Sequence, residues 1–145
     1  MARRWREQYP NIFDADDLRL TVKQPRNQFS EWFAAIHLFH RDGAHSLIGK
    51  YLFRNHEQKV ATLASVLSQR ERDTLQSVCS DCHVQPPDLF AFIPKTGRYW
   101  FAEVKGPGDR LSPKQVKSHA GLARELGVPI EIISVKIRKL RSPAV

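Results

Sequence analysis

Leu89-Phe90-Ala91-Phe92-Ile93-Pro94-Lys95-Thr96-Gly97-Arg98-Tyr99-Trp100-Phe101-Ala102-Glu103-Val104-Lys105 decides the fold. Two runs rich in aromatic and branched residues flank Pro94-Lys95-Thr96-Gly97, a turn sequence, so the stretch reads as a β-hairpin. Gly106-Pro107-Gly108 then breaks the strand. Ser112-Pro113-Lys114-Gln115 opens a helix: Ser suits the N-cap, Pro the first helical position, and Gln the third. Leu126-Gly127 closes that helix, because Gly suits a left-handed C-cap. Ile130 to Ile137 reads as a last strand. A strand–helix–strand unit predicts that this strand lies parallel to 99–105, through a right-handed crossover.

Upstream, Phe29, Trp32, Phe33, Ile36 and Phe39 recur at helical spacing, and Asp42-Gly43 ends that helix. A second helix is predicted from about Glu57 to Val78, with Val60, Leu63, Leu67, Leu75 and Val78 on one side. Residues 1–27 read as an arm, with acids at Asp14, Asp16 and Asp17 and a break at Gln24-Pro25. The predicted class is α/β, a mixed central sheet flanked by helices. One domain is expected over 1–145: an arm (1–27), a helical part (28–80), and a hairpin–helix–strand core (84–137).

Lys and Arg number 23 against 15 Asp and Glu, a net charge of +8 with a pI near 9.9. That balance favours a polyanionic partner, most often nucleic acid. Hydrophobic content of 41% is too high for a disordered chain. No apolar run approaches the roughly 18 residues of a membrane span. The basic start, Met1 to Arg6, is followed by no apolar stretch of the kind a secretory signal needs. With only two Cys, the expected setting is the reducing cytoplasm, nucleoid-associated if the source is bacterial.

Centring the hairpin on Pro94–Gly97 pairs Phe92 with Tyr99. Carried outward in step, the same register sets Asp88 across from Glu103. Lys105, two residues beyond Glu103, leaves the same strand face, while Val104 points the other way. Two adjacent carboxylates repel, and a cation relieves them. A hard ion such as Mg²⁺ prefers such oxygens, binds phosphate and acidifies bound water. In outline this is a site for phosphodiester hydrolysis.

Pro87-Asp88 followed by Glu103-Val104-Lys105 resembles the PD-(D/E)XK nuclease pattern. The longer string Glu103-Val104-Lys105-Gly106-Pro107-Gly108-Asp109-Arg110-Leu111-Ser112-Pro113-Lys114-Gln115 is far more specific. It resembles the signature of the virus-type replication-repair nuclease (VRR-NUC) domain, over residues 87–136. The resemblance implies a restriction-endonuclease-like fold and cleavage of DNA with Mg²⁺ or Mn²⁺. It implies Asp88, Glu103 and the Val104 carbonyl as metal ligands, Lys105 as the catalytic lysine, and Gln115 near the reaction. The family's upstream acid falls on Glu31, in Glu31-Trp32-Phe33-Ala34-Ala35-Ile36-His37-Leu38-Phe39, with Glu57 as the alternative. The family's Gly-x-Pro-Asp is Gln85-Pro86-Pro87-Asp88 here, a stiffer approach to the strand. Standalone members resemble dimers that act on branched DNA in repair or recombination, and larger ones resemble flap nucleases. A homodimer is therefore expected, with Trp5, Tyr9, Phe13 and Trp32 in the part available for its interface.

Other readings of the same residues stay open. Asp88, Glu103 and Lys105 also suit a surface ion-pair cluster, Gln115 a capping box with Ser112, and Glu31 a first-turn acid favoured by the helix dipole. Asp109 and Arg110 suit a loop-shaping ion pair. Arg110, Lys114 and Lys117 are the candidate DNA contacts, and with Arg124 they also suit a solvated face. Cys79-Ser80-Asp81-Cys82-His83 has the spacing of c-type haem attachment but reads better as a loop before the first strand. A DNA-binding subunit that keeps the fold without turnover is the alternative function; an enzyme acting on RNA is a third.

Overall fold

The computed structural model describes residues 29–136, together with Arg4, residues 7–10 and Ile12. The expectations about Trp5, Phe13, Asp14, Asp16, Asp17, the Gln24-Pro25 break, Ile137 and the basic end lie outside the described residues.

Strands β2 (Leu89–Phe92) and β3 (Tyr99–Lys105) form the predicted hairpin in the predicted register, with Phe92 opposite Tyr99 and Leu89 opposite Ala102. The Ile93 N–H closes the turn on the Arg98 carbonyl at 2.8 Å. Helix α4 (Pro113–Leu126) carries both signals read from its ends. Ser112 accepts from the Gln115 N–H, Gln115 accepts from the Ser112 N–H, and Gly127 sits left-handed at φ 67°. Strand β4 (Ile130–Ser134) returns parallel to β3, from Phe101 opposite Ile130 to Lys105 opposite Ser134.

Two upstream expectations are corrected. A strand, β1 (His45–Ile48), follows helix α1 (Phe29–Asp42) and pairs antiparallel with β2, giving the sheet order β1-β2-β3-β4. At four residues, His-Ser-Leu-Ile is too short to show a period. The long helix of 57–78 is two helices, α2 (Glu57–Val66) and α3 (Gln69–Asp81). Leu67 is extended, and Ser68 starts the second helix with a full capping box to Glu71. The Ser-x-x-Glu signature was present, but the apolar spacing runs on across it. Ser68→Ala is expected to cost about 1 kcal/mol in urea denaturation, since the cap is exposed and only its hydrogen bonds are lost.

Alternation along the strands builds two cores. Leu89, Ala91, Trp100, Ala102 and Val104 face α1, where Trp32, Ala35 and Leu38 meet them. Phe90, Phe92 and Phe101 face the other helices and pack with Leu63, Leu67, Leu75, Cys79 and Leu122. With helices on both faces, β2 is buried throughout. This is the expected restriction-endonuclease-like α/β arrangement. The buried stripe of α1 is Trp32, Ala34, Ala35 and Leu38, whereas Phe33 is half exposed and stacks on Phe29. Trp32, offered above as an interface residue, is 1% exposed and belongs to the chain's own core. Tyr9 is engaged within the chain too, its hydroxyl 2.8 Å from His40 Nε2.

Candidate active site

The hairpin register and the strand alternation place Asp88, Glu103 and Lys105 on the face covered by α4. Asp88 stands just before β2, and its Oδ2 accepts the Val104 N–H at 2.8 Å, which stitches the two strands at the site. Val104 itself is buried on the α1 side, so only its backbone can serve the site. Glu103 is 4% exposed. Its Oε1 lies 3.7 Å from Lys105 Nζ and accepts from Gln115 Nε2 at 3.1 Å. The Gln115 side-chain oxygen accepts from Lys105 Nζ at 3.3 Å. Gln115 therefore both caps α4 and bridges Glu103 and Lys105.

The remaining Glu103 oxygen faces His119, with Nε2 at 3.5 Å. His119 was missed in the sequence. The signal was its place four residues after Gln115, which puts both on one face of α4. Removing it strips a partner from a buried carboxylate. His119→Ala is expected to lower cleavage about ten- to a hundredfold and to raise the Mn²⁺ concentration for half-maximal rate. A titration of rate against Mn²⁺ reads both.

Electrostatics divide the acids into unequal partners. Burial and the charge of Glu103 push the Asp88 carboxyl up to about 7, with Glu31 adding to the rise and the Val104 N–H opposing it. Burial works on Glu103 in the same sense, but His119 and Lys105 outweigh it and hold Glu103 below the usual glutamate value. The pair titrates as a unit, with Glu103 ionised first. Burial, and secondarily the charge of Glu103, raise Glu31. Glu31 and Asp88 line one cavity of about 400 Å³. Glu57, the alternative acid, is exposed at the start of α2 and does not line that cavity. The N-terminal turn of α1 thus brings Glu31 round the end of the sheet.

Arg110, Lys114 and Lys117 are exposed on the loop and first turns of α4, beside Gln115. Asp109 shapes the Gly106–Gly108 loop by accepting the Gly106 N–H at 3.0 Å, not through the expected ion pair with Arg110. The Cys79–His83 segment is corrected: it is the end of α3 and its cap, not a loop. Cys79 is 3% exposed and packs in the core, where a covalent haem could not reach it. Burial pushes its thiol up to about 11, so it is neither nucleophile nor ready ligand.

Residues 24–137 match the VRR-NUC domain. The chain belongs to the VRR-NUC domain family. Membership makes it a nuclease domain acting on DNA. No curated protein matches the chain. A crystal structure of paFAN1 bound to 2nt 5′-flap DNA with a gap is similar at 23% identity and a TM-score of 0.46, over 59% of this chain. That likeness spans 16% of the paFAN1 chain. Among the described residues, no helix is long and apolar enough to cross a membrane.

Proposed function

We propose that this VRR-NUC domain is a divalent-metal-dependent endonuclease that hydrolyses phosphodiester bonds in branched DNA, in repair or recombination. The observation that supports this reading best is the convergence of Asp88, Glu103 and Lys105 on one sheet face, with Gln115 and His119 fixing Glu103 from the helix above.

The donor set suits a hard cation. Asp88 and Glu31 are both pushed up, by burial first and by the charge of Glu103 behind it, and a cation beside them would relieve both effects. Among the described residues no three His, Cys, Asp or Glu side chains converge as a ready ligand cage. Mg²⁺ does not need one, since it binds through one or two carboxylates and keeps several waters. Asp88, Glu103 and the Val104 carbonyl would hold Mg²⁺ or Mn²⁺, with Glu31 at its edge. When bound, the ion supplies charge neutralisation at the phosphate and acidifies water.

The chain's own groups do the rest. Lys105 Nζ, held between Glu103 and Gln115, orients the attacking water and balances the charge that builds on the phosphate. Gln115 keeps the ammonium aimed, and Arg110, Lys114 and Lys117 hold the flanking phosphates. In a cell this chemistry belongs in the cytoplasm, with the DNA if the source is bacterial. A four-way junction needs two symmetric cuts and therefore two copies of the chain, whereas a flap needs one.

Labelled flaps, splayed arms, duplexes and four-way junctions, incubated with Mg²⁺, Mn²⁺ or EDTA, test the reading. Cleavage of a branched substrate with metal and none with EDTA is expected. Binding without cleavage in either metal overturns it in favour of a non-catalytic subunit. Sedimentation of the same preparation settles geometry: a dimer goes with junction cutting, a monomer with flap cutting.

A further inference from the structure

The 400 Å³ cavity that Glu31 and Asp88 share is also lined by Gly49, Lys50, Phe53 and Gln85. These residues come from the connection between β1 and α2 and from the approach to β2. The connection is pinned to the catalytic strand. The Gly49 N–H donates to the Asp88 carbonyl at 2.8 Å. The hydroxyl of Tyr51, wholly buried, donates to the Pro87 carbonyl at 2.7 Å. From below, the buried Lys59 ammonium donates to the Ile48 carbonyl at 2.6 Å. Gly49 and Lys50 are both left-handed, at φ 53° and 46°, and Lys50 has no glycine's freedom to be so. Such conformations persist where surrounding contacts enforce them, and ligand clamps are among those places.

The result is an aromatic ring held out of the core. Phe53 is 41% exposed, whereas Phe90 and Phe101 are fully buried. It lines the same cavity as Asp88. We propose that this cavity receives an unpaired nucleobase of the DNA strand being cut, stacked on Phe53. The inference rests on the nuclease reading above and adds the feature of the substrate that the site selects.

Chemistry chooses the occupant. The scissile phosphate goes to the acidic end of the cavity, where Asp88 and Glu31 would hold the cation that accepts it, and this leaves the Phe53 end for the attached base. A flat, neutral base is not repelled, and stacking on an aromatic ring tolerates any base. The Gln85 amide offers a donor and an acceptor to the base edge. Lys50, at the rim, meets the next phosphate along the strand. A paired base stays in its duplex stack, so only a nucleotide already freed at a branch enters without the cost of unpairing.

The test measures equilibrium affinity by fluorescence anisotropy in EDTA, so it does not depend on cleavage. Fluorescently labelled flap and junction DNAs carry an abasic site at each unpaired or junction-flanking position in turn. For one position, loss of the base is expected to weaken binding by wild type at least fivefold. Phe53→Ala should weaken binding of intact DNA by a similar factor and show no further loss with that abasic DNA. Phe53→Tyr should restore wild-type affinity. A thermal melt checks that the Ala variant folds. Equal binding of intact and abasic DNA at every position overturns the proposal, as does full affinity of Phe53→Ala. So does a penalty for Phe53→Ala that adds in full to the abasic penalty, because the ring and the base would then act independently. Failure of the nuclease reading looks different: affinity follows the pattern above, but neither Mg²⁺ nor Mn²⁺ produces a cut.

Discussion

Lys105→Ala is expected to lower single-turnover cleavage by about a thousandfold or more, while DNA affinity falls less than threefold. The size follows from the task. Loss of one positioned group that handles a proton or meets developing charge typically costs 10²- to 10⁴-fold. Lys105 is the one ammonium in contact with Glu103 among the described residues, and its side chain is only 16% exposed. Its removal also leaves a buried glutamate with only Gln115 and His119 as partners. Affinity should barely change, because Arg110, Lys114 and Lys117, the proposed DNA contacts, are untouched. Lys105→Arg is not expected to rescue the rate, since a planar fork cannot replace a compact ammonium between Glu103 and Gln115. Rates measured at saturating enzyme separate the two quantities. Full activity in Lys105→Ala, with contaminating nuclease excluded, removes the residue from the mechanism.

Asp88→Asn is expected to abolish cleavage and yet make the metal-free protein more stable at pH 8. Folding lifts the Asp88 carboxyl from its ordinary 3.8 to about 7. The folded chain thus holds this proton more tightly than the unfolded one. The stabilisation it brings is complete below pH 4 and is lost as the pH climbs through 7. Between those limits the difference is at most about 4 kcal/mol. Sharing of the proton with Glu103 and partial solvent access leave about 1–3 kcal/mol of that. Asn removes the titration and keeps an oxygen to accept the Val104 N–H. Its melting temperature should therefore exceed wild type by several degrees at pH 8 and match it near pH 4. Excess Mn²⁺ should close the gap from the wild-type side. Equal pH profiles for the two proteins would mean that Asp88 is ionised at no cost in the fold.

What the sequence made legible was whatever rested on local rules. The Pro94–Gly97 turn fixed the register that brings Asp88 to Glu103, and Ser112 and Gly127 bounded α4. The cap made by Gln115 was legible in the same way, whereas its place beside Glu103 was implied only by the resemblance to the VRR-NUC signature. His119 lies one turn further on and was passed over, since a histidine reads as a site residue only once its face is known to look at a carboxylate. The short strand His45–Ile48 was invisible because its pairing partner is forty-odd residues away and four residues carry no period. The break at Leu67-Ser68 was hidden because Leu63, Leu67 and Leu75 all reach one core, whichever side of the break they lie on. Trp32 looked available for a second subunit, because an amphipathic stripe does not say whether its apolar side meets a sheet or a partner. Phe53 and Lys50 sit in a connection with no regular pattern, and their meaning comes only from the contacts that tie it to Pro87 and Asp88.

The measurement that bears most directly on the site is Mn²⁺ binding followed by electron paramagnetic resonance, on wild type and Asp88→Asn in the absence of DNA. Saturable binding by wild type, weakened at least tenfold in the variant, is expected if Asp88 and Glu103 hold the ion. Identical binding curves for the two proteins would place the ion elsewhere and leave the acid pair without its chemical role.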